Sequence, residues 1–232
     1  MDKSKKIKVK YLWGFCIIFS VGFMMFEIGN VKDITIRMAT KILPLENRVH
    51  GNQLLKQYIN DTSSLSNTII LIGDSHLFYF HQYAPNNTFI INRAIPGETT
   101  KGIILRGTLD LKNINSSKII FLAGYNDLKY RNVSQVCRNL DVLINQYKSN
   151  LVVLSLFPVD EKRTWINHQI RQINFHLQEQ CRHENITYID VYDELLNEKG
   201  TGLNQDYTRD GVHLNEDGYH ILKKQLQYHL NI

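Results

Sequence analysis

Five short, strongly apolar segments separated by longer stretches of helical character constrain the fold of this chain more than any other feature. Four of the five are near-continuous apolar runs, which is typical of strands covered on both faces. Such an alternation predicts an α/β fold with a central parallel sheet of about five strands and helices on both sides. The predicted strands are Thr68–Ile72, Thr88–Asn92, Lys118–Ala123, Leu151–Leu156 and Thr187–Val191, and the predicted helices are Thr99–Leu111, Val133–Ser149, Thr164–Glu184 and Glu216–Leu230.

The amino terminus carries a basic segment followed by an apolar run. Residues 1–10 hold five lysines and one acid, which accounts for four of the five net positive charges of the 232-residue chain. The run Tyr11–Ile28 is uncharged up to Glu27. At ~1.5 Å per residue it reaches about 27 Å, close to the roughly 30 Å hydrocarbon core of a bilayer. We therefore expect a basic cytoplasmic tail at 1–10 and a transmembrane helix at 11–29, with the rest of the chain outside the cytoplasm.

Other interpretations of this segment remain open. A cleaved signal peptide would give a secreted protein, although no clear small-x-small cleavage site follows the run. A buried core helix is disfavoured because the run has no polar face. Residues 30–66 are interpreted as a stem and 67–232 as the folded domain. Since the positive charge sits beside an apolar run and not on the folded domain, we expect no binding to nucleic acid.

Polar motifs follow the first two predicted strands at their carboxyl ends, where sheets of this class gather reacting groups. The motif GDSH places Ser75 at a strand-to-helix turn. There its hydroxyl can project above the sheet, and its N–H can join a helix amino terminus that favours negative charge. The motif NRAIPGETT contains Gly97, which lets the backbone approach a ligand without a Cβ in the way. A plain turn and a helix-start loop are the alternative interpretations.

Two further motifs lie later in the chain. GYND follows the third strand and supplies Asn126, whose amide can donate to a developing oxyanion or else cap the next helix. DGVHLN places Asp210 three residues before His213, so the carboxylate can meet one ring nitrogen and leave the other as a base. In a chain with nine histidines a lone D-x-x-H pair also arises by chance. The four motifs together point to nucleophilic catalysis far more strongly than any one does.

With these blocks, IGDSH, NRAIPGETT, GYND and DGVHLNEDGY, the chain resembles the SGNH/GDSL hydrolases over roughly residues 68–226. The family's name-giving residues stand here as Ser75, Gly97, Asn126 and His213, in the family's order. The resemblance implies a flavodoxin-like three-layer α/β/α sandwich. It also implies hydrolysis of ester or thioester bonds without a metal or another cofactor.

The resemblance further implies a role for each matching residue. Ser75 is the expected nucleophile, His213 the expected base and Asp210 the acid that orients it. The N–H groups of Ser75 and Gly97, with the side chain of Asn126, are the expected oxyanion hole. The reaction is expected to pass through an acyl-enzyme on the serine.

Two positions depart from the family's usual pattern. Ala94 stands where close relatives often have glycine, and His76 follows the nucleophile where leucine or isoleucine is common. His76 is interpreted as an ordinary first-turn helix residue, with lining of the substrate mouth as the alternative. The aromatic residues after the nucleophile are interpreted as core, with an acyl pocket as the alternative; they are Phe78, Tyr79, Phe80 and Tyr83.

The substrate is expected from the topology, because an anchored enzyme facing outward meets envelope glycans and lipids. Removal of short acyl groups, mainly O-acetyl, from a cell-envelope glycan is the expected activity. The alternatives are a lysophospholipase or general acylesterase, a thioesterase, an O-acetyltransferase and a non-catalytic surface binding module. The expected partners are a small-molecule, glycan or lipid ester and the membrane; the sequence does not define the oligomeric state.

Cys137 and Cys181 both fall in predicted helices. In an oxidising space they can form a disulfide, although two free thiols are the more ordinary outcome for cysteines in such positions. Neither has a C-x-x-C partner, so a zinc site is not expected.

Overall fold

The computed structural model describes residues 68–85, 89–110 and 118–231. The strands are β1 (Ile69–Gly73), β2 (Ile90–Asn92), β3 (Lys118–Leu122), β4 (Leu151–Leu154) and β5 (Thr187–Ile189). They form one sheet in the order β2-β1-β3-β4-β5, and every neighbouring pair is parallel. The predicted parallel sheet of five strands is confirmed.

Five α-helices accompany the sheet within the described residues. They are α1 (Ser75–Phe80), α2 (Thr100–Asp110), α3 (Val133–Tyr147), α4 (Thr164–His183) and α5 (Glu216–Leu230). The four long helices lie where the sequence predicts them, with bounds that differ by no more than two residues. α1 is the short helix that follows the GDSH turn.

β4 and β5 end earlier at their carboxyl ends than the sequence predicts. β4 was expected to reach Leu156, but the N–H and carbonyl of Leu156 bond to the side chain of Asn174, at 2.7 and 2.9 Å. β5 was expected to reach Val191, but the N–H of Val191 donates to the Ser155 hydroxyl oxygen at 2.9 Å. The side chains of Asn174, in α4, and of Ser155 therefore take the place of backbone partners at these strand ends.

The helices form the two outer layers. α2, α3 and α4 pack side by side, as expected for right-handed crossovers that lead successively across the sheet towards β5. α5 packs beside α1 instead: the rings of Phe80 and Tyr219 lie 6.2 Å apart, and the Tyr219 hydroxyl donates to the carbonyl of His76 at 3.1 Å. The result is a three-layer α/β/α sandwich.

The core is the sheet itself, since all five residues of β1 and all four of β4 are buried. From β1 the chain turns outward to β2, whereas from β3 it continues to β4 on the other side. In a doubly wound sheet such a reversal opens a crevice beyond the carboxyl ends of the two central strands. Ligands are therefore expected beyond Gly73 and Leu122.

The amino-terminal predictions fall on residues that the structure does not describe. The basic tail at 1–10, the anchor at 11–29 and the stem at 30–66 all lie outside the described residues, so each stays a prediction. Within residues 68–231, as far as they are described, no helix combines the length and the apolar character that crossing a membrane requires.

Both cysteines of the folded domain are free thiols in this structure. Cys181 is fully buried, and this burial raises the pKa of its thiol to about 12. Cys137 is only partly buried, and burial also raises the pKa of its thiol. The disulfide alternative is thus not formed here.

Candidate active site

Ser75 stands at the point where β1 turns into α1. A Cβ at Gly73 would lie 2.0 Å from the carbonyl oxygen of Leu122, so only glycine allows β1 to approach β3 this closely. Asp74 then begins the helix, because its Oδ1 accepts the N–H of His76 at 3.0 Å. Ser75 is the first residue of α1 and is 8% exposed. The serine is thereby held at a sharp strand-to-helix turn above the sheet.

The structure brings three of the predicted site residues into one hydrogen-bonded row. The Oγ of Ser75 lies 3.0 Å from the Nε2 of His213, across 138 residues of sequence. The Nδ1 of His213 lies 2.8 Å from the Oδ2 of Asp210. The side chains of His213 and Asp210 are 35% and 54% exposed, so one end of this row opens to solvent.

The environment of Asp210 keeps it ionised. Burial by itself raises the pKa of Asp210, but hydrogen bonds from the ring and backbone of His213 and from Val212 outweigh that effect and lower it to about 2. An ionised carboxylate can only accept, so the proton of a neutral His213 belongs on Nδ1. The Nε2 lone pair then faces the hydroxyl of Ser75.

A tight turn holds His213 in place. Gly211 has a φ of +80°, which suits glycine, and its carbonyl accepts the N–H of Asp160 at 2.8 Å. The Thr208 hydroxyl donates to the carbonyl of His213 at 2.8 Å. Asn215 then caps α5, since its Oδ1 accepts the N–H of Gly218 at 3.1 Å. The turn is therefore tied both to itself and to the loop after β4.

The other two predicted residues lie on neighbouring loops. Gly97 has a φ of +78° in the turn after β2, and that loop is tied to β1 by the N–H of Ile95, which donates to the carbonyl of Gly73 at 2.9 Å. Asn126 is 7% exposed, and its Nδ2 donates to the carbonyl of Glu98 at 3.2 Å. The loops that carry Gly97 and Asn126 are thus in direct contact.

Buried carboxyl groups surround the site, and the sequence predicts no catalytic role for them. Asp74 is fully buried; this burial raises its pKa to about 7, and the charges of Asp127 and Glu98 act in the same direction. Asp127 is also fully buried, and it accepts two hydrogen bonds from Thr100. Their sequence signal was weak: each carboxyl residue lies next to a predicted site residue in a loop at the carboxyl end of a strand.

His76 lies in the first turn of α1, as predicted, but it is buried, with 4% exposure. Its ring contacts Phe157 edge-on at 4.9 Å and lies 5.6 Å from the ring of His213. Burial, with a smaller contribution from the nearby His213, lowers the pKa of His76 to about 3. The imidazole of His76 is therefore uncharged at physiological pH and lies beside His213.

The aromatic residues after the nucleophile divide between core and site. Phe80 is fully buried, and Tyr83 stacks on Tyr219 with ring centroids 4.9 Å apart. Phe80, at the end of α1, and Tyr83, in the turn that follows α1, both pack against Tyr219 of α5, as the core interpretation predicts. Tyr79 differs, because it is 37% exposed and its ring lies 6.1 Å from that of His213.

In the described ranges, no group of three or more histidine, cysteine, aspartate or glutamate side chains is arranged to hold a metal ion.

Comparison with known proteins gives one family and a set of similar folds. The family model described as GDSL-like lipase/acylhydrolase matches residues 74–221. This range includes Ser75, Gly97, Asn126 and His213. No curated protein matches the chain.

Three solved structures illustrate the similarity. A Streptococcus pneumoniae protein provisionally named a platelet activating factor is 27% identical, with a TM-score of 0.71 over 84% of this chain and 99% of that one. A GDSL-like lipase from Bacteroides thetaiotaomicron is 20% identical, with a TM-score of 0.68 over 76% and 97%. An acetyl xylan esterase is 15% identical, with a TM-score of 0.59 over 71% and 98%. The last two matches show a shared fold.

The family model covers well over half of the chain, and the fold and the serine–histidine contact agree with it. This chain therefore belongs to the GDSL-like lipase/acylhydrolase family, the SGNH/GDSL hydrolases, and is a serine hydrolase that acts on ester bonds.

Proposed function

We propose that Ser75, His213 and Asp210 carry out the hydrolysis through an acyl-enzyme. The Ser75 hydroxyl attacks the ester carbonyl while its proton passes to Nε2 of His213. Asp210 stabilises the imidazolium that forms. The observation that carries this proposal is the 3.0 Å separation between the Ser75 Oγ and the His213 Nε2.

The remaining steps use the same groups. The tetrahedral intermediate collapses, the carbon–oxygen bond to the alcohol breaks, and His213 gives its proton to the departing alkoxide. Water then attacks the acyl group on Ser75, with His213 taking the water proton and returning it to the serine. The carboxylic acid leaves and the enzyme is restored.

The oxyanion is proposed to bind the N–H groups of Ser75 and Gly97 and the side-chain amide of Asn126. The N–H of Ser75 lies at the amino terminus of α1, where the helix dipole favours negative charge. The amide of Asn126 uses one hydrogen to bond the carbonyl of Glu98, which leaves the second for the substrate oxygen. Donors fixed in this way need no rearrangement as charge develops.

For the substrate we propose short acyl esters, mainly O-acetyl groups on a cell-envelope glycan. The exposed edge formed by Asp210 and His213, 54% and 35% exposed, leaves space for a bulky alcohol such as a sugar chain. The ring of Tyr79, 37% exposed beside His213, offers a surface on which a sugar can pack. The acetyl xylan esterase with the same fold acts on an ester of this kind.

The location is proposed from the sequence. Five lysines precede the apolar run Tyr11–Ile28, which supports a single-pass anchor with the hydrolase domain outside the cytoplasm. Such a location would give the domain access to acetylated envelope glycans. Release after signal cleavage is the alternative topology.

A panel of esters tests the substrate proposal. The full chain in mild detergent is assayed with acetyl, butyryl and octanoyl p-nitrophenyl esters, an O-acetylated polysaccharide and a lysophospholipid. We expect kcat/KM for acetyl to exceed that for octanoyl by about tenfold or more, because a site adapted to acetyl groups would leave no room for an eight-carbon chain. Faster turnover of octanoyl ester or lysophospholipid would assign the protein to the lipid-directed class. Acetyl transfer to an added glycan, in preference to water, would show a transferase.

A further inference from the structure

We infer that Asp127 is a positioning residue that locks together the two loops carrying the proposed oxyanion donors Gly97 and Asn126. The inference rests on the proposed function, because it concerns how that oxyanion hole is held in shape. Asp127 does not reach the substrate in this account and acts only through its neighbours.

The contacts of Asp127 are strong and specific. Its Oδ2 accepts the backbone N–H of Thr100 at 2.8 Å, and its Oδ1 accepts the Thr100 hydroxyl at 2.6 Å. Arg131 donates to the same Oδ1 at 3.2 Å. The carboxylate is fully buried, where hydrogen bonds to a charged acceptor are strengthened by the low local dielectric.

These bonds join two segments that are 27 residues apart in sequence. Thr100 begins α2 only three residues after Gly97, and Asp127 directly follows Asn126. A second link lies on the other side, where the Asn126 amide donates to the carbonyl of Glu98 at 3.2 Å. Two cross-links next to the proposed donors therefore fix one loop against the other.

The hydroxyl of Thr100 is itself oriented. The side-chain amide of Asn139, on α3, donates to the Thr100 Oγ1 at 2.9 Å. A hydroxyl has a single hydrogen, and an oxygen that accepts from Asn139 directs that hydrogen towards Asp127. The chain of bonds Asn139–Thr100–Asp127 consequently has one direction only.

Capping of α2 alone does not account for this arrangement. The Thr99 hydroxyl oxygen already accepts the N–H of Gly102 at 3.3 Å, so α2 has a local cap from its own sequence. What Asp127 adds is a bond between loops. Its loss should therefore weaken the alignment of the oxyanion donors more than the helix.

The test is a double-mutant cycle on the full chain in detergent, with p-nitrophenyl acetate as substrate. Asp127→Asn keeps the shape but places an amide hydrogen against the donors of Thr100. We expect kcat to fall about 10–100-fold with KM little changed, since a displaced donor weakens the transition state and not the ground state. In an Asn126→Ala background the same change should cost only about threefold, because the misaligned donor is already gone.

Thr100 supplies the rescue pair. Thr100→Val keeps the volume and loses the hydroxyl, and we expect kcat to fall severalfold; Thr100→Ser keeps the hydroxyl and should retain nearly the full rate. If Asp127→Asn does not fold, Thr100→Val replaces it in the double-mutant cycle with Asn126→Ala. Ser155→Ala is the matched control, because the buried Ser155 oxygen also accepts two backbone N–H groups, from Val191 and Tyr192, away from the oxyanion loops. It should lower the melting temperature and leave kcat unchanged.

The outcomes separate the inference from the proposal beneath it. If Asn126→Ala hydrolyses at the full rate, the proposed oxyanion hole fails and the positioning role of Asp127 fails with it. If Asn126→Ala is slow, but Asp127→Asn either keeps the full rate or costs the same factor in both backgrounds, only the inference is overturned. A loss that largely disappears in the Asn126→Ala background supports it.

Discussion

The carboxylate of Asp210 holds both the ring and the backbone of His213. Its Oδ2 lies 2.8 Å from the ring Nδ1, and its Oδ1 accepts the backbone N–H of the same histidine, also at 2.8 Å. A third bond, from the N–H of Val212 at 2.9 Å, completes the turn. One short segment therefore sets the tautomer, the ring plane and the position of the proposed base.

This relationship predicts the effect of Asp210→Asn. An amide in place of the carboxylate can donate to Nδ1, which favours the tautomer with its proton on Nε2 and so removes the lone pair that faces Ser75. We expect kcat for p-nitrophenyl acetate to fall by about 10²–10⁴-fold. Asp206→Asn, an exposed carboxylate in the same loop, is the matched control and should keep the rate. Equal rates in the two variants would contradict the role of Asp210.

Gly211→Ala tests the turn between the acid and the base. Gly211 has a φ of +80°, and an added Cβ would lie 2.8 Å from the Cβ of Asp160. We expect a loss of about 1–3 kcal/mol in the free energy of unfolding and a clear loss of activity, as the turn shifts.

Gly200→Ala is the control for this substitution. Gly200 has a similar φ of +66°, but nothing lies within 4 Å of an added Cβ. It should cost only about 1 kcal/mol and leave hydrolysis unchanged. The two variants are compared by thermal unfolding and by kcat. If both lower stability equally and neither affects turnover, the contact with Asp160 does not hold the turn.

Asp74 predicts a pH dependence of stability. Burial raises its pKa from 3.8 to about 7, so between these values the folded state binds a proton that the unfolded state releases. Stability from this group is therefore present at low pH and declines as the pH rises towards 7. Asp74→Asn keeps the oxygen that caps α1 and removes the titration. The free energy of unfolding of Asp74→Asn in urea, relative to that of the unmodified protein, should rise from pH 4 to pH 7. A difference that stays constant between pH 4 and pH 7 would refute the shift.

His76 predicts a dependence in the opposite direction. Its pKa is lowered by burial, and by His213, from 6.5 to about 3, so below 6.5 the unfolded chain takes up a proton that the folded state does not. Stability is full above 6.5 and is lost as the pH falls towards 3. His76→Leu removes this loss. Its free energy of unfolding, relative to that of the unmodified protein, should therefore rise as the pH is lowered from 6.5 towards 3. An advantage that shrinks in acid would show that the imidazole is charged in the folded protein.

The sequence predicted the sheet and the site motifs because both depend on local patterns. A short, β-branched apolar run such as IILI in β1, bounded by loop residues, indicates a buried strand. Ser75, Asn126 and His213 stand in recognisable motifs at strand ends or in turns. The burial of Asp74, Asp127 and His76 was not predictable in the same way. Burial depends on what packs above a residue, and the bonds from Asp127 to Thr100 join segments 27 residues apart.

The side chains after the nucleophile illustrate the same limit. Their aromatic character predicts that they are buried in the core, and Phe80 is indeed buried there. The pattern does not indicate which one faces the site. Only the packing of α1 and the turn after it against α5 shows that Tyr83 stacks on Tyr219 while Tyr79 stays exposed near His213.

The central claim is that Ser75 is a nucleophile activated by His213, and covalent labelling tests it most directly. The full chain, Ser75→Ala and His213→Ala are treated with a fluorophosphonate, and the modified residue is located by peptide mass spectrometry. The account predicts one phosphonyl adduct, on Ser75, in the unmodified protein, none in Ser75→Ala, and labelling slowed by about 10³-fold or more in His213→Ala. An adduct on another residue, or hydrolysis by folded Ser75→Ala at the full rate, would contradict it.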